Sequence, residues 1–194
     1  MKIILFIVML CCSVIASKAQ TVESIRKDYS QAIEHTKMMA DPDYPPCNRY
    51  QLVFEQMLAG SGQHKETLTM YYYQKDKEDD PGVTINSPYY FTTRYNYAGQ
   101  IYHEEYLYTE KGKVEFIYAL DLDFEDLSEV EYRFYIASSG VIKLIVNRKK
   151  SGESKFTQEY AGNTVSKYSS AYNKYLDKSV KLAKMFASIE AYQE

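Results

Sequence analysis

The sequence predicts an α+β domain: a curved antiparallel β-meander of about seven strands, covered on its apolar face by N- and C-terminal helices. Three observations lead there. Residues 48–150 are β-branched and aromatic runs broken by Gly, Asp and Ser clusters, which is strand composition with turn punctuation. The connections between runs are short, whereas a parallel crossover needs roughly a dozen residues or more, so neighbouring strands pair antiparallel. Apolar residues recur every three or four positions over residues 165–191, the spacing of one helix face. A more closed, barrel-like or cone-shaped sheet holding a pocket is the alternative architecture.

The elements follow in chain order. Residues 1–19, MKIILFIVMLCCSVIASKA, place Lys2 ahead of an apolar run and end with Ser17 and Ala19, the small residues that a signal peptidase reads. They are expected to be a removed export signal, which leaves a single domain over residues 20–194. The run falls short of the roughly 20 apolar residues of a membrane span, and no later segment comes closer, so membrane insertion is not expected. Leu10 and Cys11 precede Cys11 and Cys12 where a lipoprotein signal needs a small residue, which disfavours a lipid anchor. Without residues 1–19 the chain carries 21 basic and 26 acidic residues, a net charge of −5. That balance argues against nucleic acid and anionic membrane as partners. Cys47 is then the one cysteine left, so no intramolecular disulfide can form in an oxidising compartment. A lone cysteine reads first as a small buried apolar residue, with interchain pairing or a reactive thiol as alternatives.

Thr21 is placed to cap a first helix, since Val22, Ile25, Tyr29, Ile33 and Met39 recur near helical spacing. Pro42, Pro45 and Pro46 end it, because proline lacks the amide hydrogen and clashes with the preceding turn. Strands are predicted at residues 49–58, 66–74, 89–96, 101–108, 114–120, 132–136 and 141–148. In EYLYTEKGKVEFIY, a three-residue loop at Glu110, Lys111 and Gly112 sets Tyr108 against Val114, Tyr106 against Phe116 and Glu104 against Tyr118. One face then carries Tyr106, Tyr108, Val114, Phe116, Tyr118 and Leu120, and the reverse carries His103, Glu105, Leu107, Glu115 and Ile117. A loop at Ser138, Ser139 and Gly140 likewise sets Ile136 against Ile142, Phe134 against Leu144 and Tyr132 against Val146, with Arg133, Ile145, Tyr135 and Lys143 behind. Each hairpin has one strongly apolar face, so most of the tyrosines read as core-facing side chains with wet hydroxyl tips. The last segment turns Tyr168, Tyr172, Tyr175, Ser179, Leu182, Phe186 and Ile189 to the sheet, and Lys174, Asp177, Lys178, Lys181 and Lys184 away. Unbroken, it would be about 40 Å long, so a break is expected near Ser169 and Ser170 or at Asp177.

Catalytic and metal motifs are sparse. His103, Glu104 and Glu105 open like a zinc-protease helix motif, but position 107 is Leu107 and the segment is a strand. Asp121, Asp123, Glu125 and Asp126 form an acidic loop with Asp126 where a calcium loop has glycine and Tyr132 where it has a bidentate Glu. Asp76, Glu78, Asp79 and Asp80 form a second acidic turn. Gly60, Ser61 and Gly62 lack the flanking pattern of a serine elbow, and nothing in the sequence joins Cys47 to His35 or His64. No cofactor or metal is expected. Tyr89, Tyr90, Tyr95 and Tyr97 lie on a strand that is aromatic on both faces, and they are the candidate ligand-binding residues.

A leader ending in KAQ, an early helix, the hairpin series EYLYTEKGKVEFIY and YRFYIASSGVIKLIV, and a closing helix resemble small exported proteins of unassigned function from Bacteroidetes-type gut bacteria. The resemblance implies a periplasmic or secreted location and carries over no functional residue. The expected function is a non-catalytic binding or interaction domain of the bacterial envelope, with an unknown protein or carbohydrate ligand. The alternatives are a hydrolase acting on polysaccharide or peptidoglycan through paired carboxylates, and a structural subunit of an envelope complex.

Overall fold

The computed structural model describes residues 20–38, 48–77, 79–97 and 99–193. The chain runs α1 (Val22–Lys37), β1 (Asn48–Leu58), β2 (Gly62–Lys77), β3 (Asp80–Tyr97), β4 (Gln100–Tyr108), β5 (Val114–Asp123), β6 (Ser128–Ala137), β7 (Gly140–Lys149), β8 (Thr157–Gly162), a 3-10 turn (Ser166–Tyr168) and α2 (Ser169–Gln193). Each strand pairs antiparallel with the next in the order β1 to β8, so the sheet is an open meander with β1 and β8 as its edges. There are eight strands where about seven were expected. The extra strand, TQEYAG, is six residues long and largely exposed. It lacks the apolar alternation by which strands are recognised and exists because β7 offers it a ladder. The leader, Cys47 and the prolines at 42, 45 and 46 lie outside the described residues.

The sheet buries both of its faces. One cluster joins Leu68, Met70, Phe91, Tyr106, Ile117, Phe134, Leu144 and Val146 to Tyr175, Leu182 and Phe186 of α2. A second joins Tyr89, Tyr90, Leu107, Phe116 and Tyr135 to Ile25 and Ala32 of α1. Tyr106 and Leu107 are chain neighbours, and successive strand residues point to opposite faces, so the two helices cover opposite sides. This corrects the expectation of one apolar face beneath both helices.

The reason is a line of β-bulges. Register slips leave Tyr89, Glu115 and Ile142 as extra residues on β3, β5 and β7. Beside them, Tyr71, Tyr90, Leu107, Phe116, Tyr135 and Lys143 form one continuous cross-strand row under α1. Each bulge flips the alternation beyond it and adds local twist. Tyr106 therefore faces Ile117, and Leu107 faces Phe116. The expected pairings of Tyr106 with Phe116, Glu104 with Tyr118 and Ile136 with Ile142 are each off by one. Those of Tyr108 with Val114, Phe134 with Leu144 and Tyr132 with Val146 hold.

Thr21 caps α1 in a reciprocal pair with Ser24: the Ser24 amide donates to Thr21 Oγ1 at 3.1 Å and the Thr21 amide donates to Ser24 Oγ at 3.0 Å. The closing helix changes from 3-10 to α at Ser169, one of the two expected break points, and then runs unbroken past Asp177. Its 25 residues span about 37 Å.

Candidate binding groove at the open end of the sheet

β4 pairs with β3 only over residues 90–97, while β3 itself begins at Asp80. Residues 82–87 therefore have, among the described residues, no strand on one side, while on the other residues 84–87 pair with β2 and residues 82–83 lie in the bulge opposite Asp76 and Lys77. Pro81 and Pro88 bracket this stretch. Neither can donate a ladder hydrogen bond, so any further pairing is confined to the six residues between them. At the base of this free edge lies a groove of about 1430 Å³. Its walls are Ser87, Pro88 and Tyr89 of β3, the turn at residues 109–113, Asp28 and Gln31 of α1, and Leu176, Val180 and Ala183 of α2. The two helical layers thus flank a place where the sheet between them is missing a strand.

The groove is mechanically defined. The Thr109 amide donates to the Lys113 carbonyl and the Gly112 amide to the Thr109 carbonyl, both at 2.8 Å, closing the β4–β5 turn, with Gly112 at φ 69° supplying the left-handed residue it requires. Lys75 reaches across from β2 to Glu110 of that turn at 3.1 Å. Asn86 Nδ2 donates to Glu190 of α2 at 2.6 Å, and the rings of Tyr73 and Tyr89 stack at 4.1 Å beside His35 of α1. Glu115, the bulged residue, accepts from Gln20 at 2.5 Å, and burial together with the nearby Asp28 charge raises its pKa. The lining is therefore mixed: tyrosines and aliphatics, lysines at 75, 111, 113 and 184, and carboxylates at 28, 110 and 115.

The four candidate tyrosines do not form one patch. Tyr89 lines the groove, and Tyr90 beside it is buried under α1 against Tyr29 and Tyr71. Both sit on the α1 face because Tyr89 is a bulge. Tyr95 follows the alternation to the other face, where its ring stacks on Tyr102 at 4.9 Å under the Lys178 ammonium. Tyr97, 43 % exposed, lies at the far hairpin end of β3.

The buried carboxylates are already engaged. Glu104 is fully buried and accepts from Tyr106 at 2.6 Å and Tyr95 at 3.0 Å, with Lys178 Nζ at 2.8 Å. Lys178 also stands 3.5 Å from Glu66, so this lysine faces the sheet, which corrects the expectation that it turns away from it. Its position three residues after Tyr175 and four before Leu182 is the signal that places it on the inward stripe. Asp121 accepts from Tyr175 at 2.5 Å and Lys174 at 2.7 Å; burial pushes its pKa up, but these partners outweigh it and hold the carboxyl low. On the α1 face Glu105 accepts from Tyr29 and meets His103 Nε2 at 2.6 Å. A smaller cavity of about 270 Å³ opens beside Arg26 and Arg133, whose guanidinium groups rest on the rings of Tyr135 and Tyr118.

Among the described residues no group of three or more His, Cys, Asp or Glu side chains is placed to hold a metal ion. No described helix is long and apolar enough to cross a membrane. Comparison with known proteins finds no matching family model, curated protein or solved structure.

Proposed function

We propose that this chain is an exported, non-catalytic binding domain of the bacterial envelope that receives an extended segment of a partner protein in the groove at the open end of its sheet. The observation that carries this reading is the unpaired stretch of β3 at residues 82–87, flanked by both helical layers. A bare strand edge offers main-chain donors and acceptors that an added strand satisfies, while side-chain pockets along it set specificity. Val83 and Ile85, both exposed, give that edge apolar side chains to cover. The groove exceeds the roughly 300–1,000 Å³ of a small-molecule site, which favours a chain-like ligand. Of the groove's own carboxylates, Glu110 pairs with Lys75 and Glu115 accepts from Gln20, which favours binding over hydrolysis, since a glycosidase needs two carboxyls open to one cleft.

Selection from a random peptide display library on the immobilised chain tests this. Extended peptides should be recovered whose affinity falls at least about tenfold with Ile85→Lys and is unchanged by Tyr97→Ala. Recovery of no peptide alongside retention on a glycan array would replace the protein partner by carbohydrate. Turnover of a glycan, peptide or ester substrate that Glu115→Gln abolishes would overturn the binding reading altogether.

A further inference from the structure

The two edges of the sheet are treated differently by the sequence. β8 is six residues long, joins β7 through a bulge between Val146 and Asn147, and carries Glu159. Short length, a bulge and charge are the devices that stop an edge from recruiting another strand. β1 has none of them in full measure. Its eleven residues, NRYQLVFEQML, contain no Lys, Pro or Gly and pair with β2 in unbroken register. Val53 is 53 % exposed and Phe54 37 %.

We propose that β1 is a homodimer interface: two copies pair β1 against β1 antiparallel, with the two-fold axis passing through Leu52. Geometry restricts the choice of axis. Residues directly opposite in an antiparallel pair share a face and a hydrogen-bonding class, so a strand pairing with itself must place its axis at a residue and never between two. With the axis at Leu52, Arg49 stands opposite Glu55 of the second copy, and symmetry repeats the opposite-charge pair. Tyr50 meets Phe54 of the second copy and Gln51 meets Val53. An axis at Val53 sets Arg49 against Met57, one at Gln51 sets it against Val53, and one at Phe54 carries it past the end of the strand. Only Leu52 matches charge with charge.

The surrounding packing extends both rows. On the α2 face, Tyr50 already stacks on Tyr72 at 4.8 Å and touches Phe186 at 5.8 Å, so Phe54 of the second copy continues an aromatic row out of the core. On the α1 face, Glu55 pairs with Lys65 of β2 at 2.8 Å, and Arg49 of the second copy would complete a basic, acidic, basic ladder across three strands. Nine residues of each copy, 48 to 56, take part, with roughly one interstrand hydrogen bond per paired residue. The interface is isologous and the blunted β8 edges face outward, so assembly stops at two copies.

Sedimentation velocity of the purified chain from Gln20 onward reads the result. The expected result is a dimer that Arg49→Glu weakens by about tenfold or more, because two like-charge pairs then face each other, and that Arg49→Glu with Glu55→Arg restores to within about threefold. Rescue separates an interface from a folding defect. A wild-type chain that stays monomeric at about 100 μM, a dimer indifferent to Arg49→Glu, or a double variant that stays apart overturns the proposal.

Discussion

Tyr90 and Tyr97 carry the same side chain on the same strand and have opposite surroundings. Tyr90 is buried against Tyr29, Tyr71 and the α1 layer, whereas Tyr97 sits exposed at a hairpin end. Truncating a buried aromatic removes its transfer free energy and leaves a cavity, while an exposed ring returns little. Tyr90→Ala is therefore expected to cost about 3–5 kcal/mol and Tyr97→Ala no more than about 0.5 kcal/mol, read from urea unfolding midpoints at constant slope. The residue scale also explains the tyrosine content. A tyrosine contributes apolar area and one hydroxyl, and here Tyr29, Tyr95, Tyr106 and Tyr175 use theirs on Glu105, Glu104 and Asp121. Carboxylates that would otherwise be stranded inside the sheet–helix layers are satisfied that way.

The elements themselves were largely legible, and their phase was not. The two helices, the antiparallel meander and the loops at Gly112 and Gly140 follow from periodicity and turn chemistry, and both glycines have positive φ. Counting outward from the Gly112 loop fails at Glu115, whereas at the other hairpin the turn is two residues, with Ala137 facing Gly140, so the count is off by one until the bulge at Ile142 restores it; a bulge is chosen by what packs on the sheet, and α1 is invisible from within a hairpin. β8 was illegible for a related reason: its place is held by side chains from other elements. Glu159 accepts from Lys167 at 2.8 Å, from Arg148 of β7 at 2.7 Å and from Tyr168 at 2.9 Å. Lys167 and then Arg148 draw its pKa down from 4.5 to about 2. A folded-state pKa below the unfolded one contributes stability that is present above 4.5 and lost as pH falls toward 2. Wild type should thus be more stable than Glu159→Gln near pH 7, and the gap in urea midpoint should close as the pH approaches about 2.5.

At the scale of the whole molecule, the β2–β3 ribbon outruns its neighbour β4, and the helices on either face continue past the place where β4 stops. That mismatch of lengths makes the groove. It could not be read from the sequence, which placed the start of β3 at Tyr89 and so removed the free edge from view. Of the candidate tyrosines only Tyr89 lines the groove; the signal that could have found the rest is the pair of prolines at 81 and 88 enclosing VTIN, a β-prone run that proline prevents from lying in a sheet centre. The most direct test is amide hydrogen exchange of the chain with and without a peptide recovered by display. Bound peptide should slow exchange at alternate amides within residues 82–87 while residues 90–97 are unchanged. Slowing confined to β1 or β8, with residues 82–87 exchanging as before, would contradict binding at the groove.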